Sequence, residues 1–325
     1  MQGIIVGVLR GGPSNEHEVS LESGHAVMSN LPPERFTVRD IYIDKQGNWN
    51  ERGRAADPAR VLGGIDVAYI TLHGEYGENG ELQRMLEKFG VPYTGADPLG
   101  SFMSMHKALS KAKAREAGIK VARDVLVENP EDAEAAAHEI VRTFAQPVVV
   151  KPVRWGSSTG VSVVGGFLPV YQAISTLFEQ GSGMVLVEEL IRGTEATAGV
   201  VDSLRGERIY ALPPVEIIPA QSAGFFSYDA KYSGETREIV PGRFPKKVAD
   251  ELRAAAAAMH DALGLRHYSR SDFIVAPSGV YYLETNGAAA VGLASQSLMP
   301  KSLAAVGIRL PDFFSHVVDL ALAGR

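Results

Sequence analysis

The chain contains no cysteine. That excludes disulfides, thiolate catalysis and cysteine-ligated zinc, and it fits a reducing compartment. No apolar stretch approaches the roughly 18 residues that would suggest a transmembrane helix. The run Ile4–Leu9 is too short for the apolar segment of a secretory signal, and it leads directly into Arg10-Gly11-Gly12. The expectation is a cytoplasmic protein without membrane contact. A strong charge bias is also missing. The net charge is −6 with no long run of like charges, so a nucleic-acid backbone is not an expected partner. There is no internal repeat and no low-complexity tract. What remains is an ordinary globular composition over 325 residues, 45% hydrophobic and 22% charged. That suggests two or three domains with sizeable cores.

Residues 3–9 read as a buried strand broken by Gly11-Gly12-Pro13-Ser14, with a helix starting near Ser14 or Asn15. Asn15 and Glu18 have capping-box spacing. A second strand, Asp66–Leu72, ends at His73-Gly74, and a helix carrying Leu82, Met85, Leu86 and Phe89 stops at Gly90. Alternation of strand, loop and helix predicts an α/β domain with a parallel sheet over about 1–100, binding ligands at the carboxyl ends of its strands. A second unit, 101–187, should hold helices at 102–117 and 131–144 around strands near Val121–Val127 and Pro147–Lys151. From 188 to 325 strands dominate, at 195–202, 208–217, 268–276 and 280–286, with an alanine-rich helix at 246–263. This part reads as α+β. The stretch 219–243, rich in glycine and proline, reads as a lid.

Residues 270–286 are the most informative segment. Two apolar-rich runs flank Pro277-Ser278-Gly279, read as a three-residue hairpin loop. That loop pairs 276 with 280, so Asp272 faces Glu284 and Arg270 faces Asn286. All four then share one face. Two opposed acids repel unless a cation lies between them, and hard oxygen ligands suit Mg²⁺ bound together with substrate phosphates.

Val148-Val149-Val150-Lys151-Pro152 followed by Gly156-Ser157-Ser158-Thr159-Gly160 is a strand ending in lysine and then a small-residue loop, which can approach phosphate oxygens. It lacks the Gly-Lys-Ser/Thr of a Walker A loop. Lys107 is a second candidate phosphate ligand. Glu188 and Glu195 stand at the ends of two strands, where they could accept from an adenine amino group and ribose hydroxyls.

Order and spacing from Gly11 to Pro300 resemble the D-alanine–D-alanine ligases of the ATP-grasp superfamily. The matching pieces are GGPSNEHEVSLESG (11–24), HGEYGENG (73–80), YTG (93–95), MHK (105–107), KPVRWGSSTGVS (151–162), EELIRGTE (188–195), PPVEIIP (213–219), YDAKYSGET (228–236), RSDF (270–273), LETN (283–286) and SLMP (297–300). The resemblance implies a three-domain ATP-grasp fold and an acyl-phosphate route to D-alanyl-D-alanine, a peptidoglycan precursor. It implies ATP and Mg²⁺ (or Mn²⁺) as cofactors, allows a monovalent cation, and makes a homodimer the expected assembly. Lys107, Lys151, Glu188, Glu189, Glu195 and the lid residue Lys231 would bind ATP. Asp272, Glu284 and Asn286 would hold the metal. Glu16 and His73 would bind the first D-alanine, Arg270 the acyl phosphate, and Ser157 and Tyr232 would join Glu16 in a hydrogen-bonded set. Gly292 would stabilise the oxyanion through its amide, and Ser297 would reach the second substrate's carboxylate. Tyr228-Asp229-Ala230-Lys231-Tyr232 favours an amine nucleophile over a hydroxyl.

The resemblance breaks after Asn286. Where the family has Asn-Thr-x-Pro-Gly-Met-Thr-Ser-His-Ser, this chain has Asn286-Gly-Ala-Ala-Ala-Val-Gly-Leu-Ala-Ser-Gln-Ser297, two residues longer. Val291 replaces the proline and Gln296 the histidine. Losing proline and adding small residues should loosen the loop. A different second substrate, such as another D-amino acid, is therefore one alternative, and a non-catalytic ATP-binding relative is another. His106 stands where the family has an acid or amide before Lys107, with little consequence expected.

Overall fold

The computed structural model describes residues 3–219 and 236–324. Short β-branched runs bounded by glycine and proline become the strands of three sheets. In the first, β1 (Ile4–Gly11) lies between β2 (Phe36–Ile43) and β5 (Val67–Ile70), both parallel to it. The antiparallel β3 (Trp49–Glu51) and β4 (Arg54–Ala55) extend one edge, giving the order β4-β3-β2-β1-β5. Val6, Val8 and Leu9 are fully buried because helices cover both faces, as a parallel sheet requires. The carboxyl ends of β1 and β5 open onto Gly11-Gly12 and His73-Gly74.

The second sheet is antiparallel, in the order β7 (Asp124–Val127), β10 (Val185–Glu189), β8 (Val148–Pro152), β9 (Ser162–Val164). Val148, Val150, Val185 and Val187 pack under helices Ala133–Thr143 and Phe167–Glu179. Side chains alternate along a strand, so Lys151 and Glu188 project from the opposite face.

The third sheet runs β14 (Arg237–Ile239), β13 (Val215–Ile218), β11 (Thr194–Leu204), β15 (Tyr268–Ala276), β16 (Gly279–Gly287), β6 (Lys120–Val121), with β12 (Glu207–Ala211) paired to β11. Helix Lys246–Ala262 covers it through Leu252, Ala256 and Met259. The stretch 101–121, read from sequence with the second unit, contributes β6 to this third sheet, and its helices pack on β16.

Local expectations are corrected in five places. The first helix starts at His17 with Glu16 at its cap, and no side chain caps it, so the Asn15–Glu18 box does not form. The helix expected over 102–117 is two, Pro98–Met105 and Lys107–Glu116. The break has a cause. His106 is extended and its ring accepts from Leu109 N at 3.3 Å, while Lys107 N turns to Val153 O at 3.1 Å. His106 therefore has a capping role that sequence comparison did not suggest. The strand expected over 121–127 is split between two sheets, and the one over 208–217 is broken at Leu212-Pro213-Pro214. Phe89, expected in the core, is 42% exposed.

Candidate active site

The hairpin reaches the expected face-sharing set by another route. Ala276 pairs with Gly279, so the turn has two residues, Pro277 and Ser278, and not three. Uncorrected, that pairing would set Asp272 opposite Leu283. A bulge between Phe273 and Asp272 absorbs Leu283, so Asp272 faces Glu284 and Arg270 faces Asn286. A bulge re-aims the strand beyond it. It keeps Ser271, Phe273, Tyr282 and Thr285 on the buried face and turns Arg270, Asp272, Glu284 and Asn286 into the cleft.

Asp272 is saturated with donors. Arg270 Nε and Nη2 reach its two oxygens at 3.0 Å each, Asn286 Nδ2 donates to Oδ2 at 3.0 Å, and Thr197 Oγ1 donates to Oδ1 at 2.5 Å. Burial weakens the Arg270 guanidinium as an acid-stabilised cation, but Asp272 outweighs it and keeps the group more firmly protonated than usual. Glu284 meets Lys107 Nζ at 3.3 Å, and the same ammonium donates to Trp155 O at 2.8 Å. Glu195 lies on the same face of β11 as Thr197, opposite Ile274.

The parallel-sheet loops supply the facing wall. Ser14 Oγ donates to His73 O at 2.6 Å and accepts from Glu16 N at 3.2 Å, aligning Glu16 beside the β5 loop. Ser157 Oγ donates to Glu16 Oε1, joining the small-residue loop to the first sheet. Ser157 and Ser158 both adopt left-handed backbone, with φ of 49° and 58°. Gly74 must be glycine here: its φ is +84°, and a Cβ would lie 2.4 Å from Ser14 Cβ.

His73 is 3% exposed. Its Nε2 contacts Ser23 Oγ at 3.0 Å, and the ring also bonds the Ala290 backbone. Burial, aided by the Arg270 charge, pushes its pKa down to about 4. The ring is neutral near pH 7 and ties the β5 loop to the segment after Asn286. That segment is not loosened, contrary to the expectation from its composition. Ala288–Ala290 form a 3-10 turn, and Val291 and Leu293 are each 1% exposed in the core with Tyr69 and Phe314. Leu293 N donates to Ser23 Oγ at 3.2 Å, and Gln296 Nε2 to Glu22 Oε2 at 3.2 Å. Gly292 and Ser297 come together: a Cβ at 292 would lie 2.9 Å from Ser297 Oγ.

On the second sheet, Lys151 Nζ lies 2.8 Å from Glu188 Oε1. Burial alone would raise the Glu188 carboxyl, but the Lys151 and Lys111 charges hold it below the usual range. Glu189 stands apart from this pair. Its carboxylate accepts from Arg123 N at 3.1 Å, and it lines an open surface hollow with Lys120 and Tyr281. Lys231 and Tyr232 lie outside the described residues.

Two participants were not singled out from sequence. Glu78 sits within the quoted HGEYGENG motif and lines the narrow cavity that also holds Lys107, Glu284 and Asn286. It accepts from Gly74 N at 2.6 Å. Burial, with the neighbouring Glu16 charge, pushes its pKa up to about 8. Lys111 follows Lys107 by one helical turn, a spacing that puts both on one face, and that spacing was the signal available.

The arrangement is that of a ligase with an ATP-grasp core: two β-sheets, a lysine from a strand of one and a lysine from the helix packed on the other, and a carboxylate-amide set on a hairpin. Comparison with known proteins agrees. The family profile described as D-ala D-ala ligase N-terminus matches residues 5–60 and 50–96, and D-ala D-ala ligase C-terminus matches 114–319. The chain belongs to the D-alanine–D-alanine ligase family. It is 37% identical to a D-alanine–D-alanine ligase of Syntrophobacter fumaroxidans over 98% of both chains. It is 36% identical to that of Pelotomaculum thermopropionicum, over 98% of this chain and 96% of the relative. Similar solved structures include the VanG D-Ala:D-Ser ligase from Enterococcus faecalis, with TM-score 0.87 and 28% identity, covering 98% of this chain and 100% of that one. The Bacillus anthracis D-alanine–D-alanine ligase complexed with ATP gives TM-score 0.81 at 30% identity, covering 99% and 98%. Among the described residues no helix is long and apolar enough to cross a membrane.

Proposed function

We propose that this enzyme joins two D-alanine molecules at the expense of ATP. The carboxylate of the first takes the γ-phosphoryl group, releasing ADP. The amine of the second, giving up a proton, attacks the acyl carbon, and phosphate leaves. The observation that carries this reading is the convergence of Arg270, Asp272, Glu284 and Asn286 on the face that also holds Lys107, across from the Glu16–Ser157 contact.

Each residue has a task that its chemistry suits. Glu16 offers a carboxylate for the first substrate's ammonium, and Ser157 fixes its orientation. Arg270, oriented by Asp272, presents a fixed cation where charge develops on phosphoryl and carbonyl oxygens. Lys107 and Lys151 meet the phosphates, with Lys231 reaching the transferred group. Glu188 and Glu195 serve the nucleoside end; Glu189, expected with them, has its carboxylate held at Arg123 N on the other face of β10 and is left out of the set. Gly292 presents its amide to the oxyanion, and Ser297 meets the second carboxylate.

Asp272, Glu284 and Asn286 would hold Mg²⁺ or Mn²⁺. The donor set is all hard oxygen, and the two carboxylates are now neutralised by Arg270 and Lys107. When bound, the ion neutralises charge on the transferring oxygens. The reading also includes three domains with boundaries near 100 and 187, a cytoplasmic setting and a homodimer.

A second reading keeps the chemistry and changes the acceptor to another D-amino acid. The altered 287–297 segment favours it, as does structural likeness to a D-Ala:D-Ser ligase. The test is phosphate release with ATP, Mg²⁺ and D-alanine, with the product weighed by mass spectrometry, followed by D-serine and other D-amino acids as acceptors. D-alanyl-D-alanine as main product supports the first reading. A mixed dipeptide formed in preference supports the second. No turnover with any acceptor refutes both.

A further inference from the structure

Lys111 is 1% exposed and has no part in the scheme above. It stands on helix Lys107–Glu116 one turn after Lys107. Its ammonium lies 2.7 Å from Glu188 Oε1 and 3.0 Å from Asp124 Oδ2. Lys151 approaches the same Glu188 oxygen at 2.8 Å, and Arg115 meets Asp124 at 2.7 Å. This group of ion pairs thus sets three cations against two carboxylates. One helix sends two ammonium groups to two sides of the cleft: Lys107 to Glu284 and Lys111 to Glu188.

We propose that Lys111 is a positioning residue for the nucleotide, the counter-charge that remains on Glu188 when Lys151 turns to the phosphates. A buried carboxylate must keep a cationic partner or take up a proton. With Lys111 in place, Glu188 keeps such a partner after Lys151 leaves. Without it, Lys151 is the sole close cation of Glu188 among the described residues, and each approach to phosphate strands a buried charge. Lys111 touches no substrate in this scheme and acts through Glu188 and Lys151. The inference rests on the nucleotide-binding reading of the cleft.

The test is calorimetric binding of ADP and of adenosine to the whole enzyme, without D-alanine so that no turnover occurs. Wild type should bind ADP more tightly than adenosine, and failure to bind either would sink the nucleotide reading itself. Lys111→Met should weaken ADP on the order of tenfold or more while changing adenosine far less. Lys111→Arg, which keeps the charge, should restore most of the difference. Equal losses for both ligands would show that Lys111 only shapes the adenine end, and unchanged binding would show that it is not needed; either overturns the proposal. If Lys111→Met does not melt cooperatively, Glu188→Gln decides when compared with Glu188→Gln combined with Lys111→Met. With no carboxylate left to hold Lys151, the two should bind ADP alike, and a tenfold difference overturns the proposal.

Discussion

Replacing Asp272 by asparagine keeps the shape of the hairpin site and removes one charge. The aspartate accepts four hydrogen bonds: two from Arg270, one from Asn286 and one from Thr197. Each oxygen takes two of them. An asparagine has one oxygen, so its amide nitrogen takes the place of the other. Turned toward Thr197 it can donate to that hydroxyl, which keeps Ser271 O as its own acceptor at 3.0 Å, but Arg270 still loses one of its two bonds and keeps only a neutral partner. Breaking a buried ion pair costs about 3–5 kcal/mol. Both side chains here keep some solvent contact, 17% and 19%, so a stability loss of about 3 kcal/mol is expected in the absence of metal. The metal should suffer separately. Loss of a supporting partner costs roughly 10–100-fold in metal affinity, and loss of a charged ligand should cost at least the lower figure. The assay is phosphate release against Mg²⁺ concentration at saturating ATP and D-alanine, with denaturant unfolding of the metal-free enzyme alongside. The half-saturating Mg²⁺ should rise about tenfold or more. A wild-type Mg²⁺ titration in a variant of lowered stability would refute the hairpin metal site and leave Asp272 only as the partner of Arg270.

Glu78 and His73 give the enzyme a pH-dependent stability of definite sign. Glu78 titrates at about 8 against an ordinary 4.5, so the folded state holds its proton more tightly and stability is lost as pH rises through 8. His73 titrates at about 4 against 6.5, so its contribution is present above 6.5 and is lost as pH falls. The two oppose each other between 4.5 and 6.5. From 6.5 to 8 Glu78 acts alone, and the unfolding free energy should drop by at most about 2 kcal/mol, since the carboxyl is only partly shielded. Chemical denaturation of Glu78→Gln should lack that drop; its persistence would reassign the titration. Ser157→Ala frees the Glu16 carboxylate and should raise the KM for D-alanine more than that for ATP; equal changes would show that the contact is not substrate-specific. Lys231→Ala should cut turnover far more than ATP affinity, and an unchanged rate would remove Lys231 from the mechanism.

Much of this protein could be read from its sequence, for reasons tied to particular residues. The buried β-branched runs at 4–11, 67–70 and 148–152 are local patterns whose period and bounding glycines suffice to name them. The pairing of Asp272 with Glu284 was legible because strand alternation is a rule of parity. Lys151 was legible as the end of a strand before a small-residue loop; family-level spacing then added Glu16 and its partner Ser157, which no local rule connects.

Tertiary structure decided what parity and spacing leave open. A two-residue turn plus a bulge gives the same pairing at 272–284 as a three-residue turn without one, because each shifts register by one residue; only the assembled sheet distinguishes them. The segment after Asn286 has the composition of a loose loop, yet Val291 and Leu293 are buried against Tyr69 and Phe314, partners more than 200 positions or about 20 away along the chain. The tie between Gln296 and Glu22 is likewise invisible in sequence, because it depends on where the first helix lies. Lys111 is an unremarkable helical lysine until Glu188 and Asp124 are brought to it from two strands. Burial and charge proximity are properties of the packed chain, so the shifted pKa values of Glu78 and His73, set first by burial and then by the Glu16 and Arg270 charges, belong to the fold and not to any stretch of residues.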